Sequence, residues 1–146
     1  MKIKIKKLHE RAILPTYGTE FSAGADLYAL SENRTPITIQ GCSTVLIRTG
    51  ISVEIPEGSC GLIFARSGLA SKKNLAPANK VGVIDSDYRG EIMVALHNHG
   101  ILAQTVASGE RIAQLAIVPF LKAEFEECDE LSDTIRGAGG FGSTGK

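Results

Sequence analysis

The chain has 146 residues, and its 16 lysine and arginine residues balance 16 aspartate and glutamate residues, so that the formal net charge at pH 7 is zero. This length suits one domain, and 43% hydrophobic with 22% charged residues predicts a folded chain rather than a disordered one. A neutral chain has no overall field that would draw it onto nucleic acid or an anionic membrane, and we expect neither as a partner.

The sequence also favours a soluble, cytoplasmic protein. No apolar run approaches the roughly 20 residues of a membrane-spanning helix, and the lysine-rich start, residues 1–7, has no apolar secretory segment. Cys42, Cys60 and Cys128 are odd in number and far apart, so they predict neither a disulfide framework nor a metal-binding pair. We expect buried or inert thiols.

The first predicted element is a strand at residues 2–6, where lysine and isoleucine alternate and therefore occupy opposite faces. Short β-branched runs separated by turn residues then predict further strands at 37–39, 44–48, 51–55, 62–65, 91–96 and 113–118. Only residues 68–74 predict a helical turn. About ten short strands at near-regular spacing indicate an all-β sandwich or barrel.

Two segments in the first half of the chain are candidates for chemistry. Residues 22–27 place Asp26 among small apolar residues, where a turn cap is the simpler interpretation. Residues 65–72 follow an apolar strand and offer Arg66, the hydroxyl of Ser67 and backbone donors. That set suits a phosphate group, although an arginine–serine turn is often only structural.

Two more candidates follow. Residues 82–90 place two carboxylates and a tyrosine between apolar strands, which indicates the tip of a hairpin. A solvent-facing loop without chemistry is the commoner case for such a segment. Residues 109–114 place an arginine and a glutamine at the start of a strand.

The end of the chain has a different composition. Residues 132–146 contain few core-forming side chains, and five of the last ten residues are glycine. A GxGxxG match at 137–142 lacks the strand–turn–helix unit of a dinucleotide site, and a GxxxxGK match at 140–146 lacks the helix of a P-loop. A glycine-rich strip can wrap phosphates with its N–H groups, helped by Arg136, and a solvated tail is the equal alternative. We expect a β domain at 1–131 and a glycine-rich arm at 132–146.

Taken in order, five segments resemble the motifs of the trimeric deoxyuridine triphosphate nucleotidohydrolases (dUTPases), from about residue 3 to the end. They are residues 23–27, 66–70, 79–90, 109–114 and 136–143. The resemblance implies a distorted jelly-roll β-barrel that assembles as a homotrimer, with active sites at subunit interfaces and the arm closing a site. It also implies hydrolysis of dUTP to dUMP and pyrophosphate, which limits uracil in DNA and supplies dUMP for dTTP synthesis.

The resemblance assigns the reaction to residues 79–88. Asp85 is then the general base that activates the water attacking the α-phosphorus. Tyr88 packs on the deoxyribose and excludes UTP. The uracil edge is read by the side chain of Asn79 and by the backbone of the following strand, that is, Gly82, Val83 and Ile84.

The resemblance assigns the triphosphate to other segments. The phosphate contacts are Arg66, Ser67, Gly68 and Gln114. In the arm, Phe141 stacks over uracil, and the residues near the outer phosphates are Arg136, Gly142, Ser143 and Thr144. Asp26 and Arg111 have supporting, structural roles. Mg²⁺ is the implied cofactor, held by the triphosphate and by water with no direct protein ligand.

Two alternatives are open. A dCTP deaminase of the same fold needs a glutamate on the strand after residue 90, but Ala95 occupies that place. A non-catalytic nucleotide-binding module is the other alternative. It is disfavoured because Asp85, Arg66 and Phe141 are all present.

Overall fold

The computed structural model describes residues 1–140, which form twelve strands and one short helix. The elements in chain order are β1 (Lys4–Lys7), β2 (Thr16–Tyr17), β3 (Ala25–Tyr28), β4 (Ile37–Ile39), β5 (Thr44–Arg48), β6 (Ile51–Glu54), β7 (Ser59–Phe64), α1 (Ser67–Lys73), β8 (Leu75–Pro77), β9 (Gly82–Ile84), β10 (Met93–Asn98), β11 (Gln104–Val106) and β12 (Arg111–Pro119). The all-β prediction is confirmed.

The strands form antiparallel sheets of different sizes. The largest has the order β2-β3-β12-β7-β9, and a three-stranded sheet has the order β5-β10-β8. Two further pairs are β1 with β6 and β4 with β11. Neighbouring strands are therefore mostly distant in sequence, and the sheets meet in one apolar core.

The core follows from the alternation of side chains along the strands. In β10, Val94, Leu96 and Asn98 are buried, whereas the intervening Ala95 and His97 are only half-buried. Asn98 is tolerated in the core because its side chain is fully hydrogen-bonded. Its amide donates to the backbone oxygens of Ile39 and Leu102 at 3.1 and 2.9 Å, and its carbonyl accepts the Gly100 N–H at 2.9 Å.

Several predicted elements are confirmed, including the strands at 37–39 and 44–48, whose bounds match β4 and β5. The predicted helical turn is α1, which ends where Asn74 adopts a left-handed φ of 54°. The strand predicted at 62–65 begins earlier, at Ser59, directly after a turn in which Gly58 has a φ of +74°. Of the thiols expected to be buried or inert, that of Cys60 is buried, whereas Cys42 and Cys128 are exposed.

The hairpin predicted at residues 82–90 is wrong. Strand β9 pairs with β7, whereas β10 pairs with β5 and β8, so the loop between β9 and β10 passes from one sheet to another. Gly61 of β7 explains this pairing. A Cβ there would lie 3.2 Å from the Cβ of Ile84 and 3.0 Å from the side chains of Ile55 and Leu115. The absent side chain lets β9 lie against β7.

The segment after β12 contains no helix or strand as far as residue 140, and most of it is exposed. Its apolar side chains are almost fully open to solvent, among them Leu121, Phe125, Leu131 and Ile135. The boundary expected between residues 131 and 132 falls within this segment. None of the helical structure in residues 1–140 is long and apolar enough to cross a membrane.

Candidate active site

Asp85 directly follows β9 and is exposed at the mouth of a cavity of about 240 Å³. The other lining residues are Leu46, Val83, Ile84, Tyr88, Glu91 and Met93. A second cavity of about 200 Å³ shares Leu46, Val83, Ile84 and Met93 with it and adds Asn79, Gly82, Ala95 and further apolar residues. The structure therefore brings Asp85, Tyr88 and the residues expected to read the base into one cleft with apolar walls and a single exposed carboxylate.

The floor of the second cavity is a rigid backbone edge. Ile63 and Leu62 of β7 pair with Gly82 and Val83 of β9. A Cβ on Gly82 would lie 3.3 Å from the amide nitrogen of Asn79, so only glycine leaves that amide undisturbed. The β9 backbone, held by its pairing with β7, therefore presents donors and acceptors at fixed positions beside the Asn79 side chain.

Tyr88 is held against its own loop. A Cβ on Gly90 would lie 2.5 Å from Cζ of the Tyr88 ring, which shows how closely the ring packs on that glycine. The hydroxyl donates to the backbone oxygen of Glu91 at 3.0 Å. The Tyr88 N–H donates to the Asp85 backbone oxygen at 3.2 Å and closes the turn. The ring position is thus fixed from both ends.

A second cluster of charged residues surrounds Asp26. The turn cap considered for Asp26 is wrong, because the residue lies within β3 with its side chain 5% exposed. Its two carboxylate oxygens accept hydrogen bonds from Arg66 Nε at 2.8 Å and Arg111 Nη1 at 3.1 Å. One carboxylate between two guanidinium groups leaves net positive charge, part of it open to solvent, and that suits a phosphate.

The predicted phosphate contacts flank this cluster. Ser67 and Gly68 begin α1, where the first backbone N–H groups have no partner within the helix. A Cβ on Gly68 would meet nothing within 4 Å, so open space faces this residue. Gln114 of β12 pairs with Asp26 across the sheet, and a Cβ on Gly24 would lie 3.1 Å from its Cβ.

Glu110 ties the end of α1 to the turn before β12. Its carboxylate accepts hydrogen bonds from Lys73 Nζ at 2.7 Å and from the Ala107 N–H at 2.9 Å. Burial alone would raise the pKa of Glu110. These two hydrogen bonds, together with the charges on Lys73 and Arg66, outweigh burial and hold the pKa below its ordinary value. This ionised link fixes the turn from which Arg111 enters its strand.

Within one chain the two clusters remain apart. Neither cavity at Asp85 is lined by Asp26, Arg111 or the predicted phosphate contacts, which are Arg66, Ser67, Gly68 and Gln114. Arg136 is exposed and donates to the Gly139 backbone oxygen at 2.8 Å, away from both cavities. The remaining predicted residues of the arm, Phe141, Gly142, Ser143 and Thr144, lie outside the described residues.

The donor chemistry of the site suits a metal that arrives with its substrate. Across residues 1–140, no three histidine, cysteine or acidic side chains cluster closely enough to hold an ion. Asp26 is already bound to two arginines, and of the two carboxylates that line the cavity, Glu91 is bound to Arg48 and only Asp85 is exposed. Mg²⁺ is commonly bound through one or two carboxylates and substrate phosphates, so this arrangement fits a phosphate-held ion.

Three residues that line the Asp85 cavity were not predicted: Leu46, Glu91 and Met93. Glu91 directly follows the 82–90 segment, and a charged residue at the start of an apolar strand is a signal that could have identified it. Leu46 has no such signal, because it reaches the cavity only through the pairing of β5 with β10.

Fold and site together define an all-β, jelly-roll-like domain with a base-sized apolar cleft beside a carboxylate and a separate arginine-rich edge. The model of the dUTPase family matches residues 10–145. The deoxyuridine 5'-triphosphate nucleotidohydrolase of Nautilia profundicola is 49% identical over 146 residues, covering 100% of both chains. That of Hydrogenobaculum sp. is 48% identical over 145 residues, covering 99% of both. The chain belongs to the dUTPase family.

A solved structure gives the same result for the fold. The Staphylococcus bacteriophage 80alpha dUTPase with dUPNHPP superimposes with a TM-score of 0.90 at 28% identity, covering 99% of both chains. Another solved structure, of a mutant dUTPase from phage phi11 of S. aureus, has a TM-score of 0.80 at 25% identity and covers 89% of this chain and 98% of the phage chain. That phage protein coordinates a structural Mg(II) ion. The jelly-roll prediction is confirmed.

Proposed function

We propose that this protein is a dUTP diphosphatase that hydrolyses dUTP to dUMP and pyrophosphate. The main support is its membership of the dUTPase family over nearly the whole chain, combined with Asp85 at the mouth of the cleft formed by β9 and Tyr88. Such an enzyme works in the cytoplasm, limits uracil in DNA and supplies dUMP for dTTP synthesis.

The reaction begins with water held by Asp85. The carboxylate orients this water toward the α-phosphorus and accepts its proton as the new P–O bond forms. The bond from the α-phosphorus to the bridging oxygen of the β-phosphate breaks, and pyrophosphate leaves. A carboxylate is a weak base, so the alignment of water and phosphorus supplies much of the acceleration.

Selection of the nucleoside depends on the cleft. The Asn79 amide and the β9 backbone match the donor–acceptor pattern of uracil. Cytosine reverses that pattern, and thymine adds a methyl group. A slot built from hydrogen-bonding groups rejects a mismatched edge strongly, because its own polar groups are then left unpaired. Tyr88 stands beside the deoxyribose, where a 2′-hydroxyl would meet its ring.

The triphosphate extends to the arginine-rich edge. Arg66, Ser67, Gly68 and Gln114 contact the phosphates, and the arm adds Arg136, Gly142, Ser143 and Thr144, with Phe141 over the base. Asp26 and Arg111 hold Arg66 in place and do not contact substrate. Mg²⁺, when bound to the phosphates, neutralises the charge that develops on the pyrophosphate leaving group.

The working unit is a homotrimer with three sites at subunit interfaces. Two observations support an assembly: Asp85 and the phosphate contacts line different regions of one chain, and the segment after β12 exposes Leu121 and Phe125 almost completely. Apolar side chains exposed in this way are typical of surfaces that another chain covers. The arm at 132–146 then closes over a site composed of several chains.

A mixing experiment tests the shared site. Asp85→Asn chains and chains lacking residues 136–146 are each expected to be inactive. The two variants are unfolded together and reassembled at random. A site then works only when its Asp85 loop comes from a truncated chain and its arm comes from an Asp85→Asn chain. Equal mixing gives about ½ × ½, roughly a quarter of sites active, in a symmetric oligomer. No gain over the separate variants, in demonstrably mixed trimers, would contradict a shared site.

The activity itself is tested with dUTP, UTP, dCTP and dTTP in the presence of Mg²⁺. We expect pyrophosphate release from dUTP and little from the other three. Ammonia released from dCTP would identify a deaminase of the same fold. Nucleotide binding without turnover would identify a non-catalytic module.

A further inference from the structure

Glu91 is a largely enclosed carboxylate in the wall of the Asp85 cavity that has no assigned role. Its side chain is 14% exposed, and it lies where the loop after Asp85 enters β10. Its carboxylate accepts hydrogen bonds from the Gly50 N–H at 2.7 Å and from Arg48 Nε at 2.9 Å. Hydrogen bonds that join charged groups are among the stronger ones in proteins, so this side chain is firmly fixed.

The backbone of Glu91 is the support for Tyr88. The Glu91 carbonyl oxygen accepts the Tyr88 hydroxyl at 3.0 Å. The next residue, Ile92, donates its N–H to the Ile51 backbone oxygen at 2.8 Å. Glu91 therefore connects two parts of the structure. Its side chain binds the turn between β5 and β6, and its backbone carbonyl binds the hydroxyl of the Tyr88 ring.

Gly50 explains why this connection is rigid. Its φ is +72°, and a Cβ there would lie 2.6 Å from a Leu30 methyl group and 2.8 Å from the Ala12 Cβ. The backbone at Gly50 is thus packed against the core, and its N–H has a fixed direction. The Glu91 carboxylate that accepts this N–H is therefore held in a fixed position.

We propose that Glu91 is a positioning residue for sugar selection: the Gly50 N–H and Arg48 hold its carboxylate, and its carbonyl holds the Tyr88 ring where a 2′-hydroxyl would lie. This rests on the proposed function, in which Tyr88 stands beside the deoxyribose. Both carboxylate oxygens of Glu91 are bound to Gly50 and Arg48, so we assign Glu91 no contact with the attacking water or the phosphorus. Its loss therefore affects the discrimination between sugars more than the chemical step.

The test compares kcat and KM for dUTP and UTP in Glu91→Ala, Glu91→Gln and a matched control. The glutamine variant keeps an acceptor for the Gly50 N–H. The control is Glu32→Ala, which removes the other carboxylate bound to Arg48 and leaves Gly50 and the loop untouched. We expect Glu91→Ala to lower the dUTP/UTP ratio of kcat/KM by about 10-fold, because the enclosed Gly50 N–H is left without its acceptor. The kcat for dUTP should change less than about 3-fold.

Glu91→Gln and Glu32→Ala should keep the wild-type ratio, since neither removes the bond to Gly50. A folded Glu91→Ala variant with the wild-type ratio would overturn the proposal, as would equal narrowing in the Glu32→Ala control. Should the alanine variant not fold, Glu91→Asp replaces it, because the shorter side chain withdraws from Gly50. A wild-type dUTP/UTP ratio in Glu91→Asp would likewise overturn the proposal.

Failure of the proposed function is recognised separately. If the wild-type protein releases no pyrophosphate from dUTP, the function fails whatever the variants do. Calorimetric titration of dUMP and UMP then decides the role of Glu91. Wild-type preference for dUMP that shrinks in Glu91→Ala supports the positioning role, and the same preference in both proteins rules it out.

Discussion

Replacing Asp26 with asparagine removes the charge that joins two arginines without changing the shape of the side chain. At 2.8 Å and an effective dielectric constant near 20, the attraction between Asp26 and Arg66 is about 6 kcal/mol before desolvation is counted. The net loss is smaller, because asparagine keeps one acceptor and the arginine side chains, 24% and 50% exposed, regain water. Breaking a buried pair costs about 3–5 kcal/mol, and we expect about 2–3 kcal/mol for this conservative change.

Thermal unfolding at one fixed protein concentration measures this loss. For a chain of this size, about 2–3 kcal/mol corresponds to a fall in Tm of about 4–12 °C. The KM for dUTP should also rise about 10-fold, because Arg66 is no longer held beside α1. The control is Glu57→Gln, an equal charge change in an exposed turn. An Asp26→Asn variant with the Tm and KM of the wild type would refute the supporting role of Asp26.

Four further predictions concern the site. Asp85→Asn should keep assembly and nucleotide binding but lower kcat by at least about 10²-fold in pyrophosphate release, and near-full turnover would remove Asp85 from the mechanism. Tyr88→Ala should lower the dUTP/UTP ratio of kcat/KM, whereas an unchanged ratio would show that other residues select between the two sugars. Gly90→Ala should have the same effect in a folded protein, since the new Cβ would displace the ring; a wild-type ratio would contradict this packing. The pKa of Glu110 is held below its ordinary 4.5, so its ionised carboxylate stabilises the fold above that pH, and this stabilisation is lost as the pH falls through the lowered pKa. The Tm of Glu110→Gln should therefore fall less steeply than that of the wild type between pH 5 and pH 3. Equal slopes would contradict the ion pair.

Local features of the fold were predictable from the sequence because they depend on neighbouring residues. The alternation along β4 and β5 fixed their bounds, and the glycine and asparagine near α1 marked its ends. The partner of β9 was not predictable in this way. Its pairing with β7 depends on Gly61 being opposite Ile84, a match between distant residues that leaves no periodic signal in either strand. The hairpin prediction failed because it assumed that consecutive strands pair.

The site shows the same division. The motif segments contained Asp85, Tyr88 and the part of the cavity wall on β9, but not Leu46 and Met93, because these two belong to a sheet that the motifs do not include. Side chains on opposite sheets meet only after folding. Sequence patterns therefore identified the candidate reacting residues but only part of what encloses them.

The surroundings of Asp26, Glu91 and Asp85 differ in a way that supports the proposal of Asp85 as the general base. Asp26 is buried between two arginines, and Glu91 is held by Arg48 and a backbone N–H. Both oxygens of each of these two carboxylates already accept hydrogen bonds. Asp85 is exposed at the cavity mouth, where water and nucleotide can both reach it. The carboxylates of Asp26 and Glu91 are thus held by donors, whereas that of Asp85 is accessible, as the proposed role of proton acceptor requires.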